Sequence, residues 1–267
     1  MLTRENLRSL IRDGEIHSSV YVDSNVFALE MERLFERRWL LLGHESQLPR
    51  VGCYITGRLG RAPVVCVRGQ DGLLRSFVNR CTHRGAKVCQ GLSGQVSQLT
   101  CPYHGWSYDL QGSLHGIPLR EEYSGAACDR LSDLAPVSAT ETYRGFIFAS
   151  LTTPALGLLE FLGHFKTVID DLVDRAPSGS VTAAAVPIRH KYRANWKLTF
   201  ENLNDTLHAR VTHSAAARAA IAVSRALPKG QSDQTLNMMT ANAKPLEAFR
   251  ELTLVTEHGG HSYFGAH

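Results

Sequence analysis

Two short stretches decide the fold: Cys81-Thr82-His83-Arg84-Gly85 and Cys101-Pro102-Tyr103-His104-Gly105-Trp106. In pattern form they read C-x-H, seventeen intervening residues, then C-x-x-H. Each supplies one thiol and one imidazole, and each carries a glycine directly after the ligand turn. Glycine permits positive φ and close backbone approach, so both stretches read as tight loops.

Two thiolates and two imidazoles suit a [2Fe–2S] cluster with both cysteines on one iron and both histidines on the other. Neutral imidazoles in place of two thiolates lower the negative charge of the site and raise its reduction potential. Backbone N–H groups near Gly85 and Gly105 can point at sulfur and tune that potential further. Three other readings fit the same residues: core side chains with no metal, a structural Cys2His2 zinc site, and a Cys81–Cys101 disulfide. Zinc knuckles more often pair Cys with Cys on one loop and His with His on another. The disulfide is disfavoured by compartment. The N-terminus has scattered charges, no apolar core region and no small-residue cleavage site, so no secretory signal is read there. The six cysteines (Cys53, Cys66, Cys81, Cys89, Cys101 and Cys128) include no C-x-x-C pair. A reducing, cytoplasmic setting favours metal ligation over disulfides. Cys89 fits neither ligand position and reads as a packing residue.

Around these loops the sequence is β-rich. Strands are expected near Cys53–Thr56, Val64–Arg68, Leu73–Asn79, Val96–Thr100, Trp106–Leu110 and Arg144–Leu151, with a tight turn at Gln111-Gly112. Closely spaced short strands imply an antiparallel β domain over residues 39–155. Before it, Ser24–Arg38 has helical spacing, with Phe27, Met31, Leu34 and Phe35 on one face and Asp23 or Ser24 as cap. After it, Leu158–Leu172 reads as helix and Val181–Arg193 as one or two strands. Trp196–Val223 reads as a long, mainly helical segment, Pro228–Asn242 as a polar loop, and Leu252–Val255 as a strand before a Gly259-Gly260 turn.

The chain has 267 residues, 43% of them hydrophobic, which suffices for one large core or two smaller ones. Lys plus Arg total 29 and Asp plus Glu 25, and the excess is dispersed, which argues against nucleic-acid and membrane-surface partners. The longest apolar runs, Trp39–Leu42 and Ala219–Val223, are far shorter than the roughly 18–20 residues of a spanning helix.

A second constellation lies in Asn195-Trp196-Lys197-Leu198-Thr199-Phe200-Glu201-Asn202-Leu203-Asn204-Asp205-Thr206-Leu207-His208-Ala209-Arg210-Val211-Thr212-His213. On one continuous helix Asn202, Asp205 and His208 form a stripe. His213 follows His208 by five residues, an offset of roughly 140° at about 100° per residue. A shared metal therefore requires the helix to end or distort between them, for example through a π-type bulge.

The first constellation, with Arg84, Gly85, Pro102, Tyr103, Gly105, Trp106 and the strand and turn through Gly112, resembles the Rieske iron–sulfur motif. The second resembles the mononuclear-iron motif of Rieske-type aromatic-ring-hydroxylating oxygenases, in their alpha (large) subunit. The two occur in the family's order, about a hundred residues apart. The resemblance implies an α+β protein in three parts: residues 1–38, a helical segment packing on the catalytic domain; 39–155, the Rieske domain; and 156–267, the first part of a helix-grip-like catalytic domain. It implies that Cys81 and Cys101 hold the inner iron and His83 and His104 the outer one. It further implies that His208 and His213 bind a non-haem Fe(II), that Asp205 sits beside His208 and bridges toward the cluster of a neighbouring subunit, and that Asn202 lies near the iron.

The implied function is a ring-hydroxylating dioxygenase component that passes electrons through the cluster to Fe(II) and inserts O2 into an aromatic substrate. The alternative is an electron-transfer protein that uses only the Rieske domain. No G-x-G-x-x-G follows a strand, so electrons are expected from a separate reductase, with or without a ferredoxin. Arg80, Arg84 and Lys87 surround the first loop and could attract an acidic donor. A cyclic homo-oligomer or an alpha–beta hetero-oligomer is expected. Phe200, Asn202 and Leu207 are candidate pocket residues. A ferrous oxygenase site normally adds a carboxylate to its two histidines. The family's carboxylate lies far downstream of His213, and none of Asp233, Glu247, Glu251 and Glu257 sits in a segment resembling its helix. The expectation is a fragment of a longer gene product, with loss of oxygen chemistry as the alternative.

Overall fold

A computed structural model describes residues 4–124, 131–183, 190–205, 207–228, 231, 233–241, 253–256 and 262–265. The chain forms two compact units, Met1–His190 and Lys191–His267.

The first unit begins with helix α1 (Arg4–Arg8), a two-residue hairpin of β1 (Ile11–Arg12) and β2 (Glu15–Ile16), and helices α2 (Ser19–Val22) and α3 (Ser24–Glu30). Asp23 caps α3, its carboxylate accepting from the Asn25 N–H at 2.7 Å. The expected helix does not continue regularly to Arg38: Met31–Phe35 is a π-helical turn. Val26 is the buried residue of α3, while Phe27 and Leu34 of the expected apolar face stay exposed.

Three antiparallel sheets follow. β4 (Cys53–Leu59), β5 (Ala62–Arg68), β6 (Leu74–Val78) and β7 (Ser93–Gln95) form one sheet in the order β6-β5-β4-β7. β8 (Leu99–Thr100), β9 (Ser107–Tyr108) and β10 (Leu114–Gly116) form the second. β3 (Leu40–His44), β11 (Ala139–Tyr143) and β12 (Phe146–Ser150) form the third, with β12 central. Strand β5 explains how they share a core. Alternate residues of a strand face opposite sides. Val65 and Val67 pack with Phe77, Leu99, Trp106 and Tyr108 on one side. Cys66 packs with Leu48, Ile55 and Ile147, and Val64 with Leu59 and Ala149, on the other. Each buried Val contributes roughly 1.5–3 kcal/mol, and β5 is buried on both faces.

The helix expected over Leu158–Leu172 is split into α4 (Leu158–Leu162) and α5 (Phe165–Asp174) at Gly163, whose φ is 51°. Both pack through Leu158, Leu162, Ile169 and Val173 on Trp39 and Phe148. The turn at Gln111-Gly112 is present, with the Gly112 N–H bonded to the Asp109 carbonyl. Of the strands expected over Val181–Arg193, residues 184–189 lie outside the described ones, and the flanking residues are not strand.

The second unit contains α6 (Trp196–Asn204), α7 (His208–Thr212), α8 (Ser214–Ala226), α9 (Gln234–Ala241) and a hairpin of β13 (Thr253–Thr256) and β14 (Ser262–Gly265). The polar loop expected over Pro228–Asn242 thus contains a helix. The Gly259-Gly260 turn falls outside the described residues. Among the described residues no helix is long and apolar enough to cross a membrane.

One buried amide ties the segment that follows the Cys81–Gly85 loop to the sheet. Asn79 follows β6, donates to the Cys89 carbonyl at 2.7 Å and accepts from the Val88 and Cys89 N–H groups at 3.0 and 2.9 Å. Asn79→Ala would leave three buried backbone groups unpaired, at roughly 1–3 kcal/mol each. The expected loss in urea unfolding is about 3 kcal/mol, seen as a lower midpoint at unchanged slope. A loss below about 1 kcal/mol would contradict this account.

Candidate metal centres

The two sequence loops fold to the same backbone pattern. In the first, the Cys81 N–H donates to the Ala86 carbonyl and the Gly85 N–H returns to the Cys81 carbonyl, both at 2.8 Å. In the second, Cys101 bonds Trp106 at 2.7 Å and Gly105 returns to Cys101 at 3.0 Å. Gly85 and Gly105 have φ of 73° and 71°, where a side chain is strained. The second loop is closed by the β8–β9 hairpin, which pairs Thr100 with Ser107.

This geometry brings all four residues together. Cys81 and Cys101 are buried in the core that contains Trp106 and Tyr108. Among the described residues no cysteine forms a disulfide. The ring centroids of His83 and His104 lie 4.6 Å apart, and His83 stacks on Trp106 at 4.8 Å. Tyr103 leans on His104 with its ring exposed. Burial pushes the Cys81 thiol up, the Tyr108 hydroxyl and the His83 backbone pull it down, and the neighbouring Cys101 thiol pushes it up again. A thiol held as Cys81 is held ionises readily only beside a cation. The Tyr108 hydroxyl is held up at about 12, by burial first and by Cys81 next. Burial keeps His83 below the usual imidazole range, with the charges of His104 and Arg84 adding to it. That shift favours the neutral ring that ligation needs. Its Nδ1 is buried and has no hydrogen-bond partner. Buried polar atoms are nearly always paired, and ligation would satisfy this one. The donors thus fit a two-iron cluster. Among the described residues no three His, Cys, Asp or Glu side chains converge on one ion. A Rieske centre does not need that, since it takes two protein ligands per iron.

The model of the Rieske [2Fe-2S] domain family matches residues 38–138. This chain carries a Rieske domain. It is homologous to the alpha subunits of aromatic-ring dioxygenases. The benzene 1,2-dioxygenase alpha subunit of Pseudomonas putida is 39% identical over 203 residues, which are 74% of this chain and 44% of that protein. The biphenyl 2,3-dioxygenase alpha subunit of Rhodococcus jostii is 38% identical over 75% of this chain and 44% of its own length. The naphthalene 1,2-dioxygenase structure from a Rhodococcus species, with indole bound, superposes with a TM-score of 0.71 at 33% identity. That match covers 82% of this chain and 51% of the other. The chain therefore spans about 44% of the length of the curated relatives it matches.

The second constellation is arranged differently from a single stripe. Helix α6 ends at Asn204, Asp205 is extended (φ −85°, ψ 106°), and α7 starts at His208. Asn202 and His208 therefore stand on different helices, with Asp205 between them. The Asp205 carboxylate accepts from the Leu207 N–H at 2.8 Å and the His208 N–H at 3.2 Å, which holds its pKa below the usual carboxylate range. This competition from the carboxylate is why the stripe is broken: an Asp that bonds its own backbone favours a turn over helix interior. The chain also breaks at the position the five-residue spacing requires. α7 ends at Thr212, His213 takes φ −99° and ψ 12°, and α8 starts at Ser214. The break is a helix end and not a π-type bulge. The His208 and His213 centroids come within 5.3 Å. His208 Nδ1 meets the Asp205 carbonyl oxygen at 2.8 Å. A carbonyl only accepts, so Nδ1 carries the proton and Nε2 keeps its lone pair for a metal. The described residues thus fit two imidazole ligands. Phe200, Asn202 and Leu207 are exposed. Of the later acids, Glu247, Glu251 and Glu257 lie outside the described residues.

Sequence reasoning missed two participants: Tyr108 on the Cys81 sulfur and Asn79 behind the first loop. Tyr108 lies within the strand expected over Trp106–Leu110, but nothing in that alternation of polar and apolar residues marked its hydroxyl as a partner of Cys81.

The loops differ in one testable way. A Cβ on Gly85 would meet nothing within 4 Å, whereas one on Gly105 would lie 3.1 Å from Pro118 Cγ. Gly85→Ala should cost about 1 kcal/mol from backbone strain alone. Gly105→Ala should cost measurably more, as read from thermal and urea unfolding of the pair. Equal losses would mean that Pro118 yields freely.

Proposed function

We propose that this chain is an oxygenase component, an alpha subunit or its N-terminal part, of a Rieske-type ring-hydroxylating dioxygenase. The observation that carries the reading is the pair of matched loops that set two buried thiols and two adjacent imidazoles together, with His83 Nδ1 unpaired. When bound, the cluster supplies single electrons and ferrous iron supplies the position at which O2 meets an aromatic substrate.

The chain's residues divide the work. Cys81 and Cys101 hold one iron of the cluster and His83 and His104 the other. Tyr108 places its hydroxyl 3.2 Å from Cys81 Sγ and stabilises negative charge there. His208 and His213 hold the Fe(II), with the Asp205 carbonyl fixing the His208 tautomer. Asn202 stands near that iron, and Phe200 and Leu207 supply apolar wall for the ring. Asp205 is the link from His208 toward the cluster of a neighbouring subunit in a cyclic homo-oligomer or an alpha–beta hetero-oligomer. That the relatives are named as alpha subunits supports this assembly. Electrons come from a separate reductase, with or without a ferredoxin, in the cytoplasm.

Anaerobic loading with ferrous iron and sulfide tests the assignment. The protein should take up about two irons and two sulfides with a visible charge-transfer band, plus further iron at the histidine pair. Cys81→Ser and Cys101→Ser should abolish the band and Cys89→Ser should keep it. His208→Ala and His213→Ala should remove only the iron beyond the cluster. A colourless protein that takes up zinc and no acid-labile sulfide would overturn the reading.

Arg80, Arg84 and Lys87 are exposed around the first loop. Reversing charge with Lys87→Glu should slow electron delivery from an acidic donor several-fold at low salt and flatten its salt dependence. An unchanged rate and salt slope would remove this loop from the docking surface.

A further inference from the structure

The Tyr108 hydroxyl is fully buried and meets three groups of the first ligand loop. The Thr82 backbone N–H donates to it at 3.1 Å. Cys81 Sγ lies at 3.2 Å and Thr82 Oγ1 at 2.9 Å. The Thr82 hydroxyl has its own partner, donating to the Ser132 carbonyl at 2.8 Å. A hydroxyl has one proton. With that proton on Ser132, Thr82 Oγ1 faces Tyr108 as an acceptor. A cysteine that holds iron is a thiolate, which also only accepts. Both neighbours therefore want the single Tyr108 proton. The distances divide it: 2.9 Å is slightly long for O–H···O, and 3.2 Å is good for a sulfur acceptor.

We infer that Thr82 is a positioning residue that competes with Cys81 for the Tyr108 hydroxyl proton and so holds the reduction potential of the Rieske centre below the value an uncontested Tyr108–Cys81 bond would give. The inference rests on the cluster assignment proposed above. A hydrogen bond to a ligand sulfur stabilises the more negative, reduced form and raises the potential. Sharing the proton weakens that bond. Thr82→Val removes Oγ1 at nearly the same shape and keeps the backbone N–H on Tyr108. The Ser132 carbonyl that loses its donor belongs to an exposed residue, so water can replace the bond.

The test is a redox titration, followed by visible absorption, of the full chain loaded with iron and sulfide. Tyr108→Phe should lower the midpoint potential. Thr82→Val should raise it, Thr82→Ser should leave it where it was, and the Thr82→Val shift should vanish in a Tyr108→Phe background. A Thr82→Val potential that is unchanged or lower overturns the inference, because Thr82 would then be neutral or would orient the Tyr108 bond to sulfur. Thr82→Ala is read by the same criteria if Thr82→Val does not load. Failure of both to load while Thr82→Ser loads makes Thr82 a structural residue and overturns the inference too. If the unsubstituted protein takes up no cluster, the cluster assignment itself fails, which is a separate result.

Discussion

The structure of the first unit depends on holding two thiols side by side inside an apolar core. Left alone, the Cys81 thiol resists ionisation, because burial and the neighbouring Cys101 both disfavour its charge. The fold answers with fixed dipoles. The Tyr108 hydroxyl and the His83 backbone N–H face Cys81, and each loop closes on itself through the same two backbone hydrogen bonds. At these loops the buried side-chain atom left without a hydrogen-bond partner is His83 Nδ1, alongside His44 Nε2, Ser76 Oγ and Thr140 Oγ1 elsewhere among the described residues. Loops this short can be rigid only if something behind them is rigid. Asn79 supplies that for the first loop and the β8–β9 hairpin for the second.

The features legible in sequence are those that chemistry confines to short spacings. C-x-H and C-x-x-H each fit within one turn, and glycine at the αL position marks where each turn reverses. Strands β4, β5, β6 and β12 were legible because β-branched and aromatic residues cluster in them. Strand β3 was not, because Leu40-Leu41-Leu42 is a continuous apolar run that suits a buried helix or a strand equally. Strand β11 was not, because Ala139–Tyr143 is an edge strand with no fully buried residue and a largely polar sequence. Helix α9 was hidden by its weak amphipathicity: Gln234–Ala241 is rich in Asn, Thr and Gln, and nothing in its pattern marks a buried face.

Five-residue spacing between histidines shows how a local constraint can be read and still be placed wrongly in detail. The arithmetic of 100° per residue demanded an irregularity between His208 and His213, and one is present. The same arithmetic applied to Asn202, Asp205 and His208 assumed that the helix is continuous. A side chain that competes for its own backbone breaks that assumption, and Asp205 does so twice, at Leu207 and at His208. The break is useful, because it frees the Asp205 carbonyl from the helix ladder and turns it to His208 Nδ1.

The two imidazole pairs therefore rest on different kinds of support. His83 and His104 lie over Trp106 and Tyr103 at the end of a closed core. His208 and His213 are placed by one carbonyl and one helix junction, while Phe200, Leu203, Leu207 and Val211 on and between α6 and α7 remain exposed. Exposed apolar side chains beside an imidazole pair are costly in water and gain from being covered. The first site is organised by packing that the unit itself provides. The second is organised locally, by Asp205, and its apolar surroundings gain their effect only when covered. The Cys–His site thus draws its order from packing inside its own unit, and the properties of the His208–His213 pair depend on what packs over it.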